Sequence, residues 1–201
     1  MSNKLFGKAR ASQRKKDFIK KKLHRESVIR KISNTILKYD HPALKTICEP
    51  VSPTDDLSFI NSMKAALRAS QNGIGLSANQ IGVTKRVIVI DPKKNNKFIA
   101  MLNPTFEVIK ETDVDTKEEV IKMFGYEEGC LSYPGMFKKN LRPRKILVKY
   151  YDEERKQVEM ECKNLESTLV QHEMDHLDGK CLFFDIWKKK QDRDKIIYFK
   201  K

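Results

Sequence analysis

Two histidines and a glutamate near the C-terminal end of the chain have the spacing of a metal-dependent hydrolytic site. His172 and His176 lie four residues apart and Glu173 follows the first, within LVQHEMDHLDG. On a helix this spacing brings both imidazoles to one face, where they can bind one cation, and Glu173 can address a water on that cation. The HExxH pattern therefore predicts a metal site with a base beside it. The alternative is a pair of structural histidines buried in a core.

Spacing alone does not choose the third metal ligand. One class of zinc proteases continues the pattern as HExxHxxGxxH, and Gly179 fits it, but Leu182 occupies the ligand position and cannot bind a metal. A second class takes a downstream glutamate, and the residues after His176 include none. The third ligand is therefore expected upstream. The cysteines left open by spacing are Cys48, Cys130 and Cys181, besides many carboxylates.

A helix that begins after Asn164 and stops at Gly179 is predicted to carry the two histidines. Asparagine is a good N-cap residue, and glycine is a good residue just past a helix C-terminus. Leu165, Leu169 and the two histidines recur at i, i+4, i+7 and i+11. This period predicts that the histidines continue a buried apolar stripe and face inward.

Three segments are predicted to be strands. RVIVID (86–91) and KILVKYY (145–151) are β-branched and apolar, and VEMECK (158–163) alternates apolar with charged residues. The alternation places one face of the last strand in a core. Cys162 is therefore interpreted as a small buried hydrophobic residue rather than a ligand.

A second helix and a charged hairpin or surface excursion are also predicted. The apolar residues from Leu57 to Leu67 keep a 3.6-residue period, which predicts a helix that Thr54 or Asp55 can cap. The segment 106–126 is charged and weakly periodic, and it is predicted to be a hairpin or a surface excursion.

The positive charge is concentrated at the two ends of the chain. The 201 residues carry a formal net charge of +14, of which residues 1–38 hold +11 and residues 186–201 hold +5. The body between them is net −2. We expect a basic, flexible N-terminal extension over 1–33, one catalytic domain over 34–187 and a basic C-terminal tail over 188–201.

Composition also bears on the compartment. No apolar segment approaches the roughly 20 residues that cross a bilayer, and MSNKLFGKARASQRKK lacks the apolar core of a secretory signal. Four cysteines in 201 residues are too few for a disulfide scaffold. We expect no membrane partner and a cytoplasmic location, with an organelle as the alternative if residues 1–33 form a transit peptide.

Three motifs together resemble the signature of the peptide deformylase family. NGIGLSANQIG (72–82), YEEGCLSYPG (126–135) and QHEMDH (171–176) are similar to the family patterns GxGxAAxQ, EGCLS and HExDH, in the family order. The one departure is Ser77, which stands where the first pattern has its first alanine. Serine is nearly as small, so we expect activity to be retained, with a change in the pocket wall as the alternative.

The resemblance implies a fold, a reaction and a metal. The fold is α+β and peptide-deformylase-like, with short mixed or antiparallel strands around a central metal-binding helix. The reaction is removal of the formyl group from the N-terminal formyl-methionine of nascent polypeptides. The implied ligands of one divalent cation are Cys130, His172 and His176. Family members use Fe²⁺ physiologically, and Zn²⁺, Ni²⁺ or Co²⁺ are alternatives for this ligand set.

The resemblance also implies catalytic and substrate-binding residues. Glu173 takes a proton from the attacking water and then passes it to the departing amine. The side-chain amide of Gln80 and the backbone N–H of Leu131 stabilise the developing oxyanion. Gly73 and Gly75 let the backbone approach the substrate peptide, which would add a strand to the enzyme's edge.

Two contacts outside the active site are also expected, and two other functions are alternatives. Asp175 is expected to pair with Arg142 and hold the Cys130 loop to the helix. The basic ends are expected to bind ribosomal RNA, with solvated, disordered tails as the alternative. A metalloprotease would instead take its third ligand after His176. A basic binding protein with a structural metal would fill all four coordination positions with protein ligands.

Overall fold

The computed structural model describes residues 14–22, 36–38, 41–70, 72–92 and 97–183, and the backbone of residues 197–198. These residues form helices α1 (14–22), α2 (Phe59–Ala69) and α3 (Leu165–Leu177), with short 3-10 helices at Pro42–Lys45 and Ala78–Ile81. The strands, in chain order, are β1 (Gly75–Ser77), β2 (Val87–Ile90), β3 (Ile99–Val108), β4 (Glu111–Thr112), β5 (Glu119–Val120), β6 (Met123–Cys130), β7 (Tyr133–Pro143), β8 (Lys145–Tyr151), β9 (Gln157–Lys163) and β10 (Ile197–Tyr198).

A five-stranded antiparallel sheet lies between helices α2 and α3, with strand order β1-β2-β3-β8-β9. Successive side chains of a strand point to opposite faces, and β2 is buried on both. Val87 and Val89 pack in the core that includes α2, whereas Ile88 and Ile90 pack in the core that includes α3. The expected α+β fold is confirmed, and all strand pairs in the named sheets are antiparallel.

The predicted strands are confirmed by β2, β8 and β9. Val158, Met160 and Cys162 lie in the core against α3, and Cys162 is fully buried opposite Ile146 of β8. Burial raises the pKa of the Cys162 thiol to about 12, as expected for a core residue rather than a metal ligand. The alternation of apolar and charged residues therefore predicted the buried face of β9 correctly.

A second sheet carries the loop with the signature cysteine. Strands β6 and β7 pair as an antiparallel hairpin, and β10 pairs with the other side of β7. Cys130 is the last residue of β6, and only Leu131 and Ser132 separate it from Tyr133 at the start of β7. The segment 106–126 contains the end of β3, the β4–β5 hairpin and the start of β6, so the predicted hairpin is confirmed.

Helix α2 begins later than predicted. It starts at Phe59 after Ser58, which donates its backbone N–H to the Asp56 carboxylate at 2.9 Å. Asp55 instead accepts from the backbone N–H of Ser52 at 2.8 Å. The polar residues that looked like helix caps therefore stabilise a preceding turn.

The two ends of α3 follow different rules. Asn164 precedes the helix as predicted, but its φ is +52° and its side chain makes no capping hydrogen bond. Asparagine tolerates this left-handed backbone, and the prediction of a side-chain cap is wrong. Gly179 has φ +66°, and a Cβ there would lie 2.6 Å from the Lys45 carbonyl oxygen, so glycine is required where the helix stops.

The terminal segments are described in part. All nine residues of α1 are exposed. The remainder of the predicted extension 1–33 lies outside the described residues, as does the tail 188–201 except for the backbone of Ile197–Tyr198, which pairs with β7. Within the described ranges, no helix has the length and apolarity that crossing a bilayer requires.

Candidate active site

Helix α3 presents the HExxH residues to the interior. His172, Glu173 and His176 are 8%, 4% and 1% exposed, so the predicted inward face is confirmed. Leu165, expected on the same buried stripe, is 38% exposed. It lies on the first turn of the helix and borders an open cavity, which is why the stripe fails there.

Glu128 holds the ring of His172 in place. One Glu128 carboxylate oxygen lies 2.8 Å from Nδ1 of His172. Arg142 donates to both oxygens of the same carboxylate, from Nε at 2.7 Å and from Nη2 at 3.0 Å, and Asn140 donates at 2.9 Å. With Nδ1 engaged, His172 keeps Nε2 for a cation, the arrangement typical of metal-binding histidines.

The charges in this cluster stabilise one another. Burial alone would raise the pKa of Glu128, but the hydrogen bonds from His172 and Arg142 lower it to about 2. Burial alone would lower the pKa of His172, but the hydrogen bond with Glu128 raises it. Glu128 is therefore ionised at neutral pH and acts as an acceptor for its neighbours.

Arg142 also connects the β6–β7 hairpin to α3. Its Nη1 donates to the Asp175 carboxylate at 2.8 Å, which confirms the pair predicted from the sequence. Arg142 is 8% exposed, so its charge is compensated by Glu128 and Asp175 together. The hairpin that carries Cys130 is thereby fixed to the helix that carries the histidines.

Replacing Glu128 with glutamine is expected to lower the affinity for a divalent metal by about 10–100-fold, because outer partners of metal-binding histidines have effects of that size. A stability difference is expected too. The lowered pKa means that Glu128 stabilises the fold above its ordinary pKa of 4.5, and that this contribution is lost as the pH falls toward 2. Metal competition titrations and acid unfolding curves measure both effects. Glu127→Gln is the matched control, and equal metal affinity in both variants would contradict the assigned role.

Cys130 faces His176 across the interface between hairpin and helix. Its Sγ lies 3.2 Å from Nε2 of His176, and burial raises the pKa of the thiol well above its usual range. Cys181 approaches the same point, since the ligand atoms of all three residues lie within 4.8 Å of one another. Cys48, also left open by spacing, is instead buried in the core against α3.

The residues at this point fit a divalent cation. The ligand atoms that cluster here belong to Cys130, His176 and Cys181, and the His172 ring lies beside them with its centroid 5.2 Å from that of His176. A thiolate and two imidazoles are ligands that Zn²⁺ and Fe²⁺ both accept. Nδ1 of His176 and Oε2 of Glu173 are buried and have no hydrogen-bond partner among the described residues. Burial raises the pKa of Glu173 to about 7. An unpartnered carboxylate oxygen beside two imidazoles and a thiol is accounted for by a cation and its water.

Gln80 is oriented by the turn that precedes it. Its Oε1 accepts from both the backbone N–H and the hydroxyl of Ser77 at 2.9 Å, forming a capping box at the start of the 3-10 helix. This leaves Nε2 directed toward Ser132 Oγ at 3.1 Å and Cys130 Sγ at 3.6 Å. Ser77 is fully buried and is not among the residues that line the cavity, so its hydroxyl acts on the site through Gln80.

One cavity of about 420 Å³ brings most of the predicted residues together. A Cβ added to Gly75 would lie 2.5 Å from a Glu173 carboxylate oxygen, and one added to Gly73 would lie 2.8 Å from the Leu131 side chain. A larger residue at either position would therefore displace side chains at the cavity. The predicted site residues that line the cavity are Gly73, Gly75, Gln80, Cys130, Leu131, His172 and Glu173, with His176 buried behind them.

Comparison with known proteins identifies the family. The family model for polypeptide deformylase matches residues 33–193. The chain belongs to the peptide deformylase family. Peptide deformylases are metalloenzymes that remove the N-formyl group from nascent polypeptides during protein biosynthesis, and that hydrolytic reaction is the reaction of this chain.

Individual peptide deformylases resemble the chain over most of their length. The peptide deformylase of Treponema pallidum (strain Nichols) is 38% identical over 154 residues, which are 75% of this chain and 86% of the relative. A solved peptide deformylase from Legionella pneumophila has a TM-score of 0.65 at 32% identity, covering 80% of this chain and 90% of that one. One from Synechococcus elongatus, solved in complex with actinonin, has a TM-score of 0.62 at 30% identity, covering 73% and 74%.

Several residues near the deformylase site had no role in the sequence analysis. Asn79 donates from its side chain to the His176 carbonyl oxygen at 2.5 Å, and Lys38 donates from Nζ to the Leu131 carbonyl oxygen at 3.1 Å. Glu128 stood within the EGCLS motif, but its contact with a residue 44 positions away is visible only in the fold. These residues position the ligand helix and the Cys130 loop.

Proposed function

We propose that deformylation takes place in the cavity in front of Glu173, with Cys130, His172 and His176 as the ligands of a single divalent cation. The observation that carries this assignment is the buried Oε2 of Glu173, which lacks a partner among the described residues beside these three side chains. Release of formate from formyl-Met-Ala-Ser by the metal-loaded full-length chain tests the function. The same assay on a Glu173 variant of equal metal content tests the site.

The metal is proposed to be Fe²⁺, with Zn²⁺, Ni²⁺ or Co²⁺ as functional substitutes. When bound, such a cation acidifies water and polarises carbonyl oxygens. The thiol and the two imidazoles are compatible with each of these metals, so the ligand set alone does not choose among them. Metal analysis of anaerobically purified protein identifies the native ion.

Glu173 is proposed as the general base and then the general acid. Burial raises the pKa of its carboxyl group to about 7, so near neutral pH it can both accept and return a proton. It takes a proton from water as the oxygen attacks the formyl carbon. It then gives this proton to the methionine nitrogen as the amide bond breaks.

The oxyanion is proposed to be stabilised by Gln80 and by the backbone N–H of Leu131. Ser77 holds Oε1 of Gln80, which fixes the direction of the amide nitrogen before substrate arrives. Lys38 holds the carbonyl of Leu131 and so helps to orient the Cys130 loop. Donors that are fixed in advance lose little free energy to reorganisation during the reaction.

The substrate peptide is proposed to bind along β1 as an added strand. Among the described strands, β1 pairs with β2 alone, and its other edge is therefore open to a peptide. Gly73 and Gly75 line the cavity next to this edge, where an added Cβ would meet the surrounding side chains. The formyl end of the peptide would then lie beside Glu173.

The domain limits of the sequence analysis remain our proposal: extension 1–33, catalytic domain 34–187 and tail 188–201. We propose that the two basic ends keep the enzyme near the ribosome through RNA phosphates. Six of the nine residues of α1 are Lys or Arg and all nine are exposed, while the body is net −2. Tethering raises the local concentration of nascent substrate. A cytoplasmic location fits this role and stays a prediction.

Cosedimentation with ribosomes tests the tether. A full-length variant with Lys15, Lys16, Lys20, Lys21 and Lys22 changed to glutamine is expected to lose ribosome binding at low salt and to turn over the tripeptide as wild type does. Wild-type binding should fall steeply with salt, because phosphate contacts release counterions. Exchanging Lys138 and Lys139 for glutamine is the control. Equal cosedimentation of wild type and the α1 variant would overturn the proposal for this end.

A further inference from the structure

A second thiol lies directly behind the cysteine of the proposed metal site. Cys181 follows His176 by five residues, after α3 has ended at the Gly179 turn. The backbone N–H of Lys180 bonds back to the Asp175 carbonyl oxygen at 2.8 Å, which turns the chain toward the hairpin. The sulfur atoms of Cys130 and Cys181 consequently lie within 4.8 Å of each other.

Cys181 is only partly buried, so its thiol is accessible to a small oxidant. It packs with Cys130 against a small core formed by Tyr133, Met136 and Phe183. Cys130 is among the residues that line the substrate cavity, whereas Cys181 is not. Of the two thiols, only that of Cys130 therefore faces the proposed substrate cavity.

A permanent role for Cys181 as a ligand does not fit the reaction. Hydrolytic metal sites keep one coordination position open, and a second thiolate beside Cys130 and the two histidines would close it. In the working enzyme, Cys181 is therefore a free thiol next to a metal-binding one. Two adjacent thiols can be joined by a two-electron oxidation.

We propose that Cys130 and Cys181 form a peroxide-driven disulfide that releases the metal and inactivates the enzyme reversibly. This inference rests on the proposed function, in which Cys130 is a metal ligand. The Cys181 sulfur attacks hydrogen peroxide, the O–O bond breaks, and a sulfenic acid and one water are formed. Cys130 then attacks the Cys181 sulfur and expels the second oxygen as water. In total, two thiols and one peroxide give one disulfide and two waters.

The disulfide has a chemical consequence for the metal site. The Cys130 electron pair that would bind the cation forms the S–S bond, so the cation keeps only two imidazole ligands and is lost. Oxidation of Cys130 to a sulfinic acid would be irreversible, whereas a thiol reductant reverses the disulfide. The disulfide with Cys181 thus protects the Cys130 thiol from irreversible oxidation.

The test uses full-length, zinc-loaded protein, because zinc itself takes no part in redox chemistry. After treatment with hydrogen peroxide, non-reducing peptide mapping should find Cys130 linked to Cys181, with one zinc released per linked chain. Dithiothreitol followed by zinc should restore both metal content and formate release. Cys181→Ser should retain its zinc and activity before oxidation, but after oxidation its recovery should be several-fold lower, with sulfinic acid at Cys130. Cys162→Ala removes a buried thiol without burying a hydroxyl; it is the matched control and should form the same disulfide and recover as wild type does.

Three results would overturn the proposal. The first is equal recovery of wild type and Cys181→Ser, and the second is zinc release without the Cys130–Cys181 peptide. The third is loss of zinc from untreated Cys181→Ser and Cys181→Ala alike, with circular dichroism showing both folded, since Cys181 would then be a permanent ligand. Formate release by the untreated wild type is measured in parallel. If the untreated wild type released no formate, that result would count against the proposed function. The peptide map would still test the disulfide, because it does not depend on activity.

Discussion

Turnover of formyl-Met-Ala-Ser is expected to fall by about 10²–10⁴-fold when Glu173 is replaced by glutamine, the range over which general acid–base catalysis contributes. Glutamine has nearly the same shape but cannot take up a proton. The Glu173 side chain is 4% exposed and its pKa is raised to about 7. Solvent water therefore cannot replace it as the group that accepts and returns the proton. Steady-state kinetics at matched metal content measure the effect in kcat.

The control for this variant lies on the same helix. Glu166→Gln changes an exposed carboxylate on the first turn of α3 and should leave kcat unchanged. Metal content must be equal in all three proteins, since Glu173 is proposed as a base and not as a ligand. Near-full activity of Glu173→Gln with metal bound would refute the assigned role.

The second large effect is expected at Gln80. Replacing it with alanine should cost about 2.7–4 kcal/mol of transition-state stabilisation, or roughly 10²–10³-fold in kcat, the effect seen when one oxyanion donor is removed. KM should change little, because the amide acts mainly on charge that develops during the reaction. Ser77→Ala removes one of the two bonds to Oε1 and should have a smaller effect of the same kind.

Asn72→Ala is the matched amide control for Gln80. Asn72 lines the mouth of the same cavity and is exposed, so its loss should leave kcat close to wild type. Loss of metal from Gln80→Ala would show instead that the amide supports the Cys130 ligand, to which it donates at 3.6 Å. A change confined to KM would likewise contradict the oxyanion role.

Local patterns were sufficient to predict the elements that carry the site. The alternation over 158–163 reports a strand with one face against a core, and the i, i+4 spacing of the histidines reports one helical face. These are short-range properties of the backbone. The pairing of Asp175 with Arg142 was also predicted, and the structure confirms it.

Long-range packing decided the features that the sequence did not reveal. Glu128 contacts His172 across 44 residues, and Cys181 approaches Cys130 across 51, so no local period encodes either contact. The Ser77 to Gln80 capping box was different, since the S-x-x-Q pattern is readable in SANQ. The alanine in the family pattern predicts only that a small residue fits at position 77, and the role of the hydroxyl follows from its bond to Gln80.

Two predicted side-chain caps were wrong for a similar reason. Asp55 has the composition of a cap but is recruited by the turn that contains Ser52. Asn164 is the residue before α3, yet its φ is positive and its side chain makes no capping hydrogen bond. In each case a competing hydrogen bond or backbone state, set by the surrounding chain, overrode the local preference.

Formate release is the measurement that tests the central claim most directly. Full-length protein, purified anaerobically and loaded with one Fe²⁺ per chain, is incubated with formyl-Met-Ala-Ser, with acetyl-Met-Ala-Ser as the control substrate. We expect formate and free Met-Ala-Ser in equal amounts, no hydrolysis of the acetylated peptide or of the internal peptide bonds, and loss of turnover when a chelator removes the metal. Internal cleavage, or no formate from a folded and metal-loaded chain, would contradict the account.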